Sequence, residues 1–299
     1  MKRKIVIFQT VCIVVFAGIA LSLSGAHNDI TPSKKEGSGV THVSAYFKEA
    51  GYIETQTEKF ENVEAIAAQY LMGGVVPHHI PTAIPLLVEF YAKLQKSKQV
   101  DTFIILGPDH FERGEGDVSF SKAPFLTPFG RLKPDLALLN KLEEQTFAVH
   151  DELPFNDHSI HSQMLLIGKF FPKATVVPIV FRSSSTNEMA ESFGEFLASI
   201  ATPNTFIIAS VDFSHYLPEE QARPLDEQSA YSLTFMEPKL AGLVEADSPQ
   251  SLVAMMAAVK SMGATSNFPM GTFNSASVSN NKDSTTGYVL QFFGVPIIW

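Results

Sequence analysis

Apolar residues along the chain follow two patterns, short uninterrupted runs and longer stretches where they recur every three or four positions. The runs are typical of strands buried on both faces, and the stretches of amphipathic helices. Strands are predicted over GGVVP (73–77), TFIILG (102–107), TVVPIVF (175–181), TFIIAS (205–210) and TGYVLQFFGV (286–295). Helices are predicted over 82–97, 134–146, 159–171, 187–200, 226–235 and 249–262. The alternation favours one α/β domain with a mainly parallel central sheet flanked by helices.

The first 44 residues stand apart from this alternation. MKRK is basic, and the residues that follow it, through Ala26, are apolar and uncharged. This combination predicts a signal peptide or an uncleaved signal-anchor over residues 1–26. Both alternatives export the domain to the cell envelope, where it would be membrane-anchored, periplasmic or secreted. Residues 27–44 are polar at first and rich in glycine, serine and charge, so a flexible tether is predicted there and the domain over 45–299.

Charge and cysteine content limit the kinds of ligand and reaction that are expected of the domain. The net charge of the chain is −9, and because residues 1–26 hold three basic residues and no acidic one, the remainder carries −12. An acidic domain without a Lys/Arg cluster is not expected to bind nucleic acid. The single cysteine, Cys12, lies in the predicted leader. The domain therefore has no disulfide, no thiolate metal ligand and no cysteine nucleophile.

Three predicted strands end in histidine or aspartate, in the segments VVPHH (75–79), IILGPDH (104–110) and IIASVDFSH (207–215). In open α/β sheets, ligand sites lie beyond the carboxyl ends of the strands. Imidazole is a ligand for iron, copper and zinc, and a nearby aspartate can orient the ring or bind the metal itself. The sequence therefore predicts a metal site at this edge, although any single histidine is more often a structural residue.

A further segment, NDHSIHSQM (156–164), adds two histidines three positions apart. If Asn156 or Asp157 caps a helix, His158 and His161 share a face of its first turn, either in the site or towards solvent. The metal-site patterns HExxH and CxxC are absent, and so is the serine-nucleophile pattern G-x-S-x-G. The absence of G-x-S-x-G disfavours Ser-His hydrolysis.

The segments, in this order, resemble the Memo family, which includes the bacterial AmmeMemoRadiSam system protein B. The matching segments are VVPHHIPTA (75–83), FIILGPDHF (103–111), LTPFGRL (126–132), NDHSIHSQM (156–164), VVPIVF (176–181) and IIASVDFSHY (207–216). The resemblance implies a fold like that of class III extradiol dioxygenases, a single α/β domain with its metal at strand ends. It places His78 and His110 on the family's two histidine ligands. It also places His158, Asp212 and His215 on cleft positions suited to proton transfer.

The sequence departs from the family pattern at two positions. The family segment HSIE reads HSIH here, with His161 in place of a carboxylate, and the family's cysteine ligand would fall at Thr265. The third metal ligand is therefore open. We expect it to be His161, with His215 or Asp212 as alternatives. Two other residues, Asp109 and His79, are expected to support the ligands without binding the metal.

The resulting hypothesis is an exported, metal-dependent, dioxygenase-like oxidoreductase that acts on a catecholic or similar small molecule. A divalent metal is implied, with iron favoured and copper or zinc as alternatives. A non-catalytic member that binds metal or docks a protein partner is the first alternative, and a metallohydrolase is the second. The expected contacts are a small-molecule substrate or a protein partner, and a membrane through the N-terminal segment.

Overall fold

The computed structural model describes residues 34–36 and 39–297. The predicted leader over 1–26 and most of the predicted tether therefore lie outside the described residues. Among the residues described, no helix combines the length and apolarity that crossing a bilayer requires.

Strands and helices alternate along the described chain. The strands are β1 (Lys34–Glu36), β2 (Gly39–Val43), β3 (Ala68–Val76), β4 (Thr102–Pro108), β5 (Val118–Phe120), β6 (Phe125–Thr127), β7 (Gly130–Pro134), β8 (Val149–His150), β9 (Thr175–Phe181), β10 (Thr205–Ser210), β11 (His215–Leu217), β12 (Ser266–Asn274) and β13 (Thr285–Pro296). The helices are α1 (Ala50–Lys59), α2 (Ile84–Ser97), α3 (Leu136–Glu143), α4 (His158–Phe170), α5 (Asn187–Ile200), α6 (Glu219–Leu233), α7 (Pro238–Ala241), α8 (Pro249–Ser261) and α9 (Ala276–Ser279).

The centre of the sheet is parallel and has the strand order β7-β9-β4-β10-β3. The strand β10 pairs in parallel with both β3 and β4, and β4 pairs in parallel with β9 over its whole length. The long strand β13 closes one side of this core by pairing antiparallel with β3. The predicted α/β fold with a mainly parallel central sheet is confirmed. The ends of β3, β4 and β10 consequently meet at one edge of the sheet.

The central strands are covered on both faces. Along β4, Ile104 and Leu106 belong to one hydrophobic cluster, with residues of α5 and α8, whereas Phe103 and Ile105 belong to the other, with residues of α2 and α4. Successive side chains on a strand point to opposite faces, so each face needs its own apolar set. This double coverage explains the uninterrupted apolar runs in the sequence.

The prediction of a tether through residue 44 needs a correction. Residues 39–43 form β2, which pairs in parallel with β6. His42, near the end of the predicted tether, is fully buried, and its Nε2 lies 2.8 Å from Glu152 Oε2 and 3.1 Å from Ser121 Oγ. A polar, short strand is stable here because the domain supplies both its ladder partner and the partners of its buried imidazole.

Replacing Glu152 with Gln should lower the free energy of unfolding by about 1–3 kcal/mol at pH 7. Burial raises the pKa of Glu152, but hydrogen bonds from His42, Ser121 and His150 outweigh it and lower the pKa from 4.5 to about 2. A carboxylate with a lowered pKa stabilises the fold above its unfolded pKa, and this contribution is lost as the pH falls from about 4.5 towards 2. Urea unfolding at pH 7 and at pH 3 should show the difference shrinking.

The matched control is Glu144→Gln, a change at an exposed glutamate eight residues before Glu152 in the sequence. It should leave the free energy of unfolding within about 0.5 kcal/mol of the parent. A Glu152→Gln variant as stable as the parent at pH 7 would contradict the assigned role of this carboxylate.

Candidate metal centre

Three histidines from separate elements meet at the edge where β3 and β4 end. His78 follows β3, His110 follows β4, and His158 begins α4. The ring centroids of His78 and His110 are 5.1 Å apart, and His158 stacks on His110 with centroids 4.2 Å apart. One ring nitrogen of each histidine lies within 4.8 Å of those of the other two, so the three side chains form a group that could hold a metal ion.

Two carboxylates extend this group. Asp212 and Asp247 form a second possible metal-binding set with His78, again with all ligand atoms within 4.8 Å of one another. Asp247 Oδ2 lies 3.0 Å from His78 Nε2 and 3.5 Å from His110 Nε2. Asp212 is engaged differently, since its Oδ1 accepts the backbone N–H of His78 at 3.0 Å.

Fixed partners orient the two strand-end imidazoles. His78 Nδ1 lies 3.1 Å from the carbonyl oxygen of Ser210, which can only accept, so Nδ1 carries the hydrogen. His110 Nδ1 donates to Asp157 Oδ1 at 2.8 Å. In both rings Nε2 is therefore the atom presented to the cluster, which is how metal-binding histidines are usually held.

Asp157 is held in turn by backbone groups. It is the N-cap residue of α4, and its side chain accepts the N–H of Ser159 at 2.9 Å. Its other oxygen accepts the backbone N–H of His110 at 2.9 Å. The predicted helix cap at residues 156–157 is thus Asp157. It also positions a candidate ligand, a role that the sequence analysis did not foresee.

The charges in the cluster are strongly coupled. Burial lowers the pKa of His110, but hydrogen bonds to Asp157 and Asp247 outweigh it and raise the pKa to about 10. Burial likewise lowers the pKa of His78, and the charges of Asp212 and Asp247 outweigh it and raise the pKa. Burial, together with positive charge on these two neighbours, lowers the pKa of His158 to about 3. The protons on His78 and His110 thus balance the negative charge of the neighbouring carboxylates, as a bound cation would.

The donor set fits a divalent metal ion. Asp247 Oδ1 is buried and has no hydrogen-bond partner among the described residues, which is costly for a carboxylate unless something else engages it. The rings of His78 and His110 are held through Nδ1, and their Nε2 atoms lie within reach of the Asp247 carboxylate. Imidazole and carboxylate donors together suit iron, manganese and zinc.

The sequence analysis missed Asp247 because it follows no strand. It lies in the loop EADSP (245–249) that precedes α8, and Ser248 caps that helix. The only sequence signal was an acidic residue beside a helix start, which is too common to indicate a site. The approach of α8 to the sheet in three dimensions is what places Asp247 over His78 and His110.

The structure does not bring His161 into the cluster, so its prediction as a metal ligand is corrected. His161 is fully buried, and its Nε2 lies 2.9 Å from the carbonyl oxygen of Phe155. Its ring packs near those of His42 and Phe125. The helix α4 is buried almost all round, so a histidine three positions after His158 faces a different buried surface.

Asp109 and His79 border the cluster without bonding to its imidazoles. Asp109 Oδ2 accepts the N–H of Gly114 at 2.7 Å, so this carboxylate braces its own loop instead of orienting a histidine ring. His79 Nδ1 lies 2.7 Å from the hydroxyl of Tyr288. His215 begins β11, and neither possible metal-binding set among the described residues includes it.

Thr265, where the resemblance places the family's cysteine ligand, lies away from the cluster. Thr265 is exposed, and its N–H donates to the carbonyl oxygen of Gly294, which pairs with Leu71 near the start of β3. His78 lies seven residues further on, about 20 Å along an extended chain.

A cavity of about 210 Å³ adjoins the cluster. His110 and Asp247 form part of its wall, and the remaining polar wall residues include Asp109, Glu112 and Ser183. The candidate metal centre therefore has a space beside it for a small molecule.

The family model for Memo-like proteins matches residues 44–291 of this chain. The chain belongs to the Memo family. It is 27% identical to the MEMO1 family protein MK0963 of Methanopyrus kandleri, over 75% of this chain and 83% of that protein. It is also 27% identical to the MEMO1 family protein PAE0818 of Pyrobaculum aerophilum, over 74% and 83%. A solved structure, the uncharacterized protein JW3007 from Escherichia coli K12, aligns with a TM-score of 0.49 at 12% identity and covers 74% of this chain and 99% of its own.

Replacing Asp247 with Asn in this Memo family chain should lower the pKa of His110, because the imidazolium loses a hydrogen-bonded negative partner. We expect a fall of at least about one unit from about 10 in metal-free protein. An NMR titration of the ring protons measures it. The control is Asp117→Asn, at an exposed aspartate that bonds Ser184 Oγ, and it should leave the His110 titration unchanged. An unaltered pKa in Asp247→Asn would contradict the assigned geometry.

Proposed function

We propose that this Memo family protein binds one divalent metal ion, Fe(II) in preference to copper or zinc, through His78, His110 and Asp247. It would act as a metal-dependent oxidoreductase on a catecholic or similar small molecule. The supporting observation is that Nε2 of both histidines lies near Asp247 Oδ2, at 3.0 and 3.5 Å, while Asp247 Oδ1 has no partner among the described residues. Two histidines and one carboxylate are the donor set of non-haem Fe(II) oxygenases.

The other members of the cluster are less suited to be the third ligand. One oxygen of Asp212 is committed to the backbone N–H of His78, so this residue shapes the turn after β3. His158 has its Nδ1 3.6 Å from Asp157 Oδ1, too far for an orienting hydrogen bond. Its ring is consequently free to exchange protons beside the metal rather than being fixed as a ligand.

When bound, Fe(II) would supply the redox chemistry and open coordination positions that allow O₂ and a catecholic substrate to react together. The protein's own contribution would be proton transfer. His158 stacks on His110 with ring centroids 4.2 Å apart, and 37% of its side chain is exposed, so it can meet a substrate beside the metal. We assign to it the acceptance of a proton from a substrate hydroxyl group.

His215 is the second proton-transfer residue in this proposal. It begins β11, five residues after the end of β10 and three after Asp212. We also propose a location in the cell envelope, because the basic and then apolar N-terminal segment is typical of exported proteins.

His110→Ala and Asp247→Ala should each reduce Fe(II) affinity at least about tenfold, because each removes a proposed ligand. Elemental analysis after anaerobic reconstitution measures the bound iron, which should be near one ion per chain in the parent. The matched control is His150→Ala, a histidine with 38% of its side chain exposed that bonds to Glu152 instead of the cluster. A parent that takes up no metal, or variants that retain all of it, would overturn the proposed site.

His158→Ala should lower kcat for catechol-dependent oxygen uptake by about 10²- to 10⁴-fold while iron content stays near the parent value. Oxygen consumption by the iron-loaded chain, with ring-cleaved product followed spectroscopically, measures this. Unchanged turnover in the variant would contradict the role of His158. Iron-loaded parent that never turns over would support a binding-only protein, and native zinc with ester or phosphate hydrolysis would support a metallohydrolase.

A further inference from the structure

The carboxylate of Asp109 is buried beside the candidate metal centre without adequate compensation. Asp109 is only 2% exposed and lies in the wall of the cavity next to His110. Its Oδ2 accepts one neutral N–H, from Gly114, at 2.7 Å. Its Oδ1 is buried and has no hydrogen-bond partner among the described residues. A buried carboxylate held by a single amide is costly unless a donor or a positive charge completes it.

The arginine that follows β9 is committed to another carboxylate. Arg182 donates through Nε to Glu112 Oε2 at 2.8 Å, and Glu112 Oε1 also accepts the N–H of Ser183 at 2.8 Å. Glu112 has a left-handed backbone conformation, with φ of 52°, an unusual one for a residue other than glycine. Its N–H donates to the carbonyl oxygen of Asp109 at 3.1 Å. Arg182 is thus paired with Glu112 and Arg113 lies over the ring of Phe111, and among the described residues Asp109 forms no ion pair.

The cavity wall is consequently acidic. Of the described residues that line it, three are carboxylic acids, Asp109, Glu112 and Asp247, and none is lysine or arginine. Asp247 would be neutralised by the metal and Glu112 is paired with Arg182, so Asp109 is the group left to meet a ligand. A negatively charged ligand would place like charges together in a poorly solvated space, which disfavours it.

We propose that the substrate of this site carries a protonated amine, which Asp109 receives while the metal-binding end of the same molecule faces His78, His110 and Asp247. This inference rests on the proposed function and adds the chemical class of its substrate. The cavity of about 210 Å³ is smaller than pockets for drug-sized ligands, which begin near ~300 Å³. A single-ring molecule with a short amine-bearing side chain suits a space of this size.

Three ring-matched probes test this: dopamine with an ammonium group, ethylcatechol with no charge, and dihydroxyphenylacetate with a carboxylate. Calorimetric titration of the full-length chain, both metal-free and loaded with Fe(II) under anaerobic conditions, measures their affinities. Dopamine should bind at least about tenfold more tightly than ethylcatechol, as a charge-assisted hydrogen bond predicts, and dihydroxyphenylacetate should bind most weakly.

Asp109→Asn should bring the ratio of dopamine to ethylcatechol affinity close to one, because Asn keeps the acceptor for Gly114 but removes the charge. Asp117→Asn is the matched control, a carboxylate of the same loop that is exposed and bonds Ser184 Oγ, and it should keep the parent ratio. Thermal unfolding of each variant verifies its fold. The preference of the parent chain among the three probes is measured without any variant, so that result does not depend on whether a variant folds.

Equal affinities for the three probes in the parent, no binding of any of them, or a preference for dopamine that survives Asp109→Asn would overturn the inference. If the chain binds Fe(II) normally and shows no preference, only the amine inference fails. If the chain binds no Fe(II), the proposed function fails. The affinities of the metal-free chain for the three probes then still show whether the amine is preferred.

Discussion

The buried carboxylate of Asp157 is the contact on which the geometry of the candidate metal centre depends. Its two oxygens accept three hydrogen bonds, from the ring and the backbone of His110 and from the backbone of Ser159. Burial raises its pKa, and these contacts outweigh that effect and lower it to about 2. One side chain thereby joins the end of β4 to the first turn of α4. This joint stacks His158 on His110 and directs His110 Nε2 towards Asp247.

The domain of this Memo family chain contains no cysteine. The loop before α8 brings a carboxylate, Asp247, to the two histidines. Imidazole and carboxylate donors suit Fe(II), and a carboxylate is not subject to the oxidation that converts thiolates to sulfenic and higher acids. That property agrees with the proposed location in the cell envelope, where thiols are not kept reduced.

The polar chemistry of the domain is divided between two faces of α4. At its first turn, His158 and Asp157 belong to the metal centre. One turn later, His161 packs near His42 on β2, which the domain holds through Glu152 and Ser121. The second group stabilises the docking of β2, and the first belongs to the candidate metal centre. Both depend on the same helix being buried on nearly every side.

The sequence by itself determined the elements whose burial follows a regular pattern along their length. The bounds of β9, β10 and α5 were predicted to the residue, since periodicity and end signals are local properties. It also determined that His78 and His110 meet, because parallel strands end at the same edge of a sheet. The tertiary structure decided the rest. Asp247 reaches the site only through the packing of α8, and β2 is a strand only because β6 pairs with it. Loop direction and edge pairing depend on distant contacts, which no local pattern encodes.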